Sequence, residues 1–118
     1  MPAYYFTIDE VIVAKDDRSI TLTFTDTSGN AVDISAWTFY YKAVKKDDST
    51  VTIIVLNAAM TKSDSGTGVT DTVTIPRSDT VTNVAVGRYD HEITVVDGTT
   101  TTTIAKGTLT IQENITGP

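Results

Sequence analysis

A chain of 118 residues is the size of one domain and too short for two good cores. Its 40% of hydrophobic residues is spread evenly, which is enough for an ordinary core and argues against disorder. A formal net charge of −6 with scattered basic residues disfavours nucleic acid and anionic membranes, and the absence of cysteine excludes disulfides, thiol chemistry and cysteine-based zinc sites.

The β-branched residues set the fold class. The chain holds 24 Thr, 13 Val and 11 Ile, together 48 of 118, against three Leu. Branching at Cβ stiffens χ1 and favours the pleated sheet over the helix. The start, Met1 to Phe6, has no basic run and no long apolar stretch, so it does not read as a signal peptide. No apolar stretch is long enough to span a bilayer as a helix. The expectation is a chain made in a cytoplasm that stays soluble.

In chain order, a first strand is predicted over Glu10 to Ala14, ending at the polar turn Lys15-Asp16-Asp17-Arg18. Ile20, Leu22 and Phe24 alternate with Thr21, Thr23 and Thr25, the pattern of a strand with one buried face. Asp26 to Asn30 supplies turn chemistry. Trp37 to Val44 is the next strand, with Trp37, Phe39 and Tyr41 on one face and Tyr40 on the other. Lys45 to Ser49 makes a charged turn, and Thr50 to Leu56 returns as a hairpin. The apolar run Ile53 to Leu56 is expected to be partly covered on both faces.

Ala58 to Gly68 reads as a loop, and Val69 to Ile75 as a strand stopped by Pro76. One helical turn fits Ser78 to Val84, with Ser78 as its cap. Arg88 to Val96 alternates with Tyr89, His91, Ile93 and Val95 in phase. Asp97-Gly98 signals a hairpin, and Thr101 to Gln112 returns as a strand. Ile104 falls out of phase with Leu109 and Ile111, which predicts a bulge near Gly107. The tail, Asn114 to Pro118, reads as an exit. About seven short antiparallel strands, with no alternating helices, make an all-β immunoglobulin-like sandwich over residues 1–118, with short terminal arms.

No catalytic, cofactor-binding or metal site is recognisable. His91 is the only histidine and sits mid-strand, where it reads as a sheet histidine satisfied by a hydrogen bond. Asp16-Asp17, Asp47-Asp48 and Asp64-Ser65-Gly66 read as solvated turns, since no spacing converges several oxygens on one point. Glu10 and Glu92 are possible paired acids that nothing in the sequence brings together. Asn114-Ile115-Thr116 is an incidental glycosylation match. Tyr4, Tyr5, Phe6 and Tyr40 are candidate interface residues: tyrosine offers a broad flat area with a polar tip. Tyr4 and Tyr5 either anchor contacts or cover the sandwich edge.

Val86-Gly87-Arg88-Tyr89 resembles the tyrosine corner of immunoglobulin domains, in which the hydroxyl bonds back to upstream backbone. Gly87 and Tyr89 are the residues this implies, and position 91 carries His where a cysteine would follow. A wider resemblance covers most of the chain. Gly29 to Trp37 looks like the opening of baseplate-upper-protein-like immunoglobulin domains of bacteriophages. Gly87 to Ile93 and Lys106 to Ile111 look like their closing hairpin, and the Asn-Ile-Thr stretch is similar to their ending. The resemblance implies a non-enzymatic structural protein of the virion, in the tail, baseplate, neck or capsid decoration. It would be present in several copies among other virion proteins, without cofactors, nucleic acid or membrane. The alternative is a carbohydrate-binding sandwich, which would need aromatics coplanar on one face; Trp37 and Tyr40 lie on opposite faces.

Overall fold

The computed structural model describes residues 6–78, 82 and 84–115, with the side chain of Phe6 excepted. Among the described residues nine strands are formed: β1 (Phe6–Thr7), β2 (Glu10–Val13), β3 (Ile20–Thr23), β4 (Thr38–Lys45), β5 (Asp48–Val55), β6 (Thr61–Ser63), β7 (Thr72–Ile75), β8 (Gly87–Asp97) and β9 (Thr100–Gln112). One 3₁₀ turn, Asn57–Ala59, lies between β5 and β6.

The strands form two sheets. The large sheet runs β1-β9-β8-β4-β5, with β2 also on β9, and the small one runs β3-β7-β6. Taken by chain position, the small sheet has the B-E-D order of immunoglobulin domains, and the large sheet has G-F-C with the additional C′ strand of the variable type. The chain is an all-β immunoglobulin-like sandwich. The strand count and direction differ from the seven antiparallel strands expected. β1 and β2 pair parallel with β9. Parallel partners need no hairpin turn between them, so no turn signal announces them.

The core forms where the two inner faces meet. Phe24, Trp37, Phe39, Tyr89, Ile93, Leu109 and Ile111 are buried as their shared phase predicts, while Leu22 is only half-buried on the short strand β3. Phe24 sits at the centre of an aromatic cluster, with ring centroids 5.3 Å from Trp37, edge-on, and 5.8 Å from Phe39. Threonine lines the outer face of the small sheet, where Thr23 and Thr72 hydroxyls meet at 3.0 Å across β3 and β7. Many of the 24 threonines therefore serve as the polar half of alternating strands.

Several sequence expectations shift by local detail. The 58–68 segment is not all loop, because β6 pairs with β7 there. Its Lys62 donates to the carbonyls of Ser35 and Trp37 and so holds the entry to β4. The 53–56 run is covered on one face only: Ile53 and Val55 are buried, Ile54 and Leu56 exposed. β5 ends the large sheet, and nothing among the described residues covers its outer face. The bulge in β9 falls at Ile104, between the pairs Ile93↔Ala105 and Thr94↔Thr103, three residues before Gly107. Of the helical turn expected at 78–84, residues 79–81 and 83 lie outside the described residues; the Thr82 N–H reaches the Ser78 carbonyl at 3.0 Å.

Candidate functional site

Inside the sandwich lies a buried polar centre made from four strands' worth of alternation. Tyr41 follows Trp37 and Phe39 inward on β4, and His91 follows Tyr89 inward on β8. Arg77 keeps the inward phase of Val73 and Ile75 two residues past the end of β7, and Glu10 keeps the phase of Ile12 on β2. Arg77 is 1% exposed, an unusual position for a cation unless it is paired.

Its pairing is complete. Arg77 Nη2 donates to Glu10 Oε2 at 2.7 Å, Nε to the Arg18 carbonyl at 2.8 Å, and Nη1 to the Tyr41 hydroxyl at 3.3 Å. Tyr41 Oη lies 2.8 Å from His91 Nδ1, and His91 Nε2 meets the Ile8 carbonyl. A carbonyl only accepts, so Nε2 carries the ring proton and Nδ1 accepts from the tyrosine. The chain of donors therefore runs from Arg77 through Tyr41 and His91 to Ile8.

Burial pushes the His91 pKa below the ordinary imidazole value and favours this neutral form. It also drives Tyr41 up to about 12, against the attraction of Arg77. Burial opposes the charge on Arg77 as well, but its bonds to Glu10 and Tyr41 outweigh it and hold the guanidinium above its ordinary value. Glu10 Oε1 is buried without a hydrogen bond and stands 3.9 Å from His91 Nδ1.

The centre ties the N-terminal strand pair to the sandwich. Ile8 and Asp9 cross β9 between β1 and β2, where Asp9 Oδ1 accepts from the Thr108 N–H at 2.9 Å. Gly107 lies beneath the crossing. A Cβ there would stand 2.0 Å from the Ile8 carbonyl oxygen, so only glycine lets the chain pass.

The corner residues take the geometry of a tyrosine corner. Tyr89 Oη donates to the Ala85 carbonyl at 2.6 Å, and Gly87 adopts φ +140, open to a residue without a Cβ. His91 stands two residues on, the place of the second cysteine in antibody domains, and supplies hydrogen bonds where a disulfide would cross-link. The acidic turns act on backbone: Asp26 Oδ1 accepts from the Ser28 and Asn30 N–H groups, and Asp64 from those of Gly66, Thr67 and Gly68. Among the described residues no three acidic or histidine side chains are grouped to hold a metal. Glu10 and Glu92 are not paired, since Glu92 lies on the outer face between Lys42 and Lys106. The Asn114 side chain is engaged, donating to the Ala14 carbonyl.

Of the candidate interface residues, Tyr4 and Tyr5 lie outside the described residues, as does the side chain of Phe6, whose backbone pairs with Ala105 in β1. Tyr40 is 42% exposed on the outer face of the large sheet. The β4–β5 register, continued one step, sets Leu56 across from it, and Ile54 faces Lys42 one row away. Leu56 and Ile54 are 57% and 56% exposed, so the three side chains form an apolar strip that the alternation of Tyr40 foreshadowed and the reading of β5 as covered on both faces concealed.

No known family model matches the chain, and no curated protein matches it. Among solved structures it is similar to a chain from structure-based photo-crosslinking analyses of multimeric cell-adhesive interactions of VGSC β subunits. The two are 15% identical, with 92% of each chain covered and a TM-score of 0.37. That likeness is too remote to bear on function, and the strand order carries the fold assignment.

Proposed function

We propose that this chain is a structural subunit of a bacteriophage virion, an immunoglobulin-like module that acts by being assembled among other particle proteins. One observation carries the assembly part: the apolar strip of Tyr40, Ile54 and Leu56 on the outer face of the large sheet. Exposed apolar groups that are contiguous, and include a tyrosine, are the usual anchors of protein contacts. The virion setting comes from the resemblance of residues 29–37, 87–93 and 106–111 to baseplate-upper-protein-like domains. The groups with chemical potential, His91, Tyr41, Arg77 and Glu10, are committed to one another and to the backbone of the N-terminal strands.

A carbohydrate-binding module would need an aromatic platform, and Tyr40 is the only exposed aromatic side chain among the described residues. The deciding experiment is incorporation. A Tyr40→Asp variant is expected to unfold at the wild-type denaturant midpoint and to be lost from particles assembled in its presence. Normal copy number of that variant in purified particles, or specific binding of the intact chain to a glycan array, would overturn the reading.

A further inference from the structure

A sheet edge exposes unpaired N–H and C=O groups, and proteins guard such edges with short strands, charge, proline or bulges. Among the described residues, three of the four sheet edges are guarded. β2 is four residues long and runs into Lys15 at φ +72 and the charged Asp16, Asp17 and Arg18. β3 is four residues long and turns threonines outward, and β6 has three residues, one of them Lys62. The fourth edge is β5. Its tip bulges at residues 49–51, between the pairs Val44↔Thr52 and Lys45↔Asp48. Beyond the bulge, Thr52, Ile53, Ile54 and Val55 form a regular edge, and Leu56 continues it in an extended conformation at φ −90, ψ 156. These five residues hold no charge and no proline.

We propose that this edge pairs with the same edge of a second copy of the chain, antiparallel, about a two-fold axis at Ile54. The inference does not depend on the virion assignment. Directly opposite residues in an antiparallel pair face the same side of the sheet, so a two-fold axis through a residue preserves the phase of both strands. Centring on Ile54 sets Ile54 against itself, Ile53 against Val55 and Thr52 against Leu56. The exposed Ile54 and Leu56 then cover one another on the outer face. The edge also adjoins an apolar groove of about 540 Å³, lined by Ile54, Leu56, Ala58, Ala59 and Pro76 among others, which the second copy would partly cover.

Charge does not oppose a second copy despite the net −6. The nearest charged side chain is Lys42, opposite Ile54 within the sheet and opposite Glu92 on its other side. The two Lys42 residues would stand three strand spacings apart, roughly 14 Å, beyond the Debye length at physiological salt. A two-fold pair is also closed: it uses up this edge in both copies and offers no new one.

The full-length chain is expected to sediment as a concentration-dependent dimer. Ile54→Glu separates fold from pairing. Within its own sheet the new carboxylate stands beside Lys42, whereas at the axis two carboxylates confront each other. Like charges so placed should weaken the dimer by about 100-fold, with the unfolding midpoint of the monomer unchanged. The chain has no cysteine, so register can be read directly. Ile54→Cys should oxidise to a covalent dimer, because opposite Cα atoms lie about 4.5–5.5 Å apart, within disulfide reach. Thr52→Cys, whose counterpart is Leu56, should not. A chain that stays monomeric up to about 1 mM, a dimer indifferent to Ile54→Glu, or equal cross-linking through Thr52→Cys would each overturn the proposal.

Discussion

The hydroxyl of Tyr89 makes one short bond, to the Ala85 carbonyl, and the ring is fully buried. Tyr89→Phe keeps the ring and removes that bond, so it should lower stability by about 1 kcal/mol. An unchanged denaturant midpoint would show that the corner is held by packing alone. Arg77 is a harsher case. Arg77→Met leaves the Glu10 carboxylate without its cation and should destabilise by about 3 kcal/mol. Adding Glu10→Gln should recover part of the loss, and additive losses in the double variant would show that the two groups do not act as a pair. The corner was legible because Gly87 and Tyr89 are neighbours in sequence. The Glu10–Arg77 pair was not, since 67 positions separate its members. Only their phase gave a trace: Arg77 continues the inward count from Val73 and Ile75, past a proline that suggested the strand had ended.

Alternation read β4, β8 and β9 well, because each has one face on the core and one on solvent, and turn chemistry marks their ends. It placed the four-residue strands β2, β3 and β7 but missed the shortest, β1 and β6. β6 has three residues and no buried one, so periodicity cannot reveal it. β1 and β2 owe their place to β9, a hundred residues away, through parallel pairing that leaves no local signature. What fixes them is the close passage of Ile8 over Gly107. Gly107→Ala forces a methyl group into the space of the Ile8 carbonyl. The crossing must shift, which breaks the bonds from His91 and to Asp9 as well. A loss of about 2 kcal/mol is expected, the usual range for overpacking, with faster amide exchange concentrated in residues 10–13 and their β9 partners. Uniform exchange throughout the sandwich would show that β2 does not depend on this crossing.

On the scale of the whole molecule, the N-terminal strands, the core and the corner meet at His91, which makes the fold sensitive to pH there. Burial holds the folded-state pKa of His91 below its ordinary value of 6.5. An unfolded chain therefore takes up the proton first as pH falls. Stability from this group is complete above about pH 6.5 and is lost as pH drops toward the folded value. A proton on Nδ1 would confront the Tyr41 hydroxyl with a second donor beside Arg77, and the Ile8 anchor would have to move with the ring. A separate window opens in strong acid. Asp71 accepts from the Ser65 hydroxyl and N–H, and from the hydroxyls of Thr67 and Thr72, which hold its carboxyl at about 2. Its contribution is present above the ordinary 3.8 and is lost between there and about 2. Unfolding midpoints measured from pH 7 to pH 2 should thus fall in two stages. His91→Gln should lower the midpoint at pH 7 and flatten the first stage, leaving the second in place. Asp71→Asn should do the reverse. A wild-type midpoint that is level from pH 7 to pH 5 would mean that His91 is not kept neutral by the fold, and that the donor chain from Arg77 to Ile8 does not set the ring's protonation.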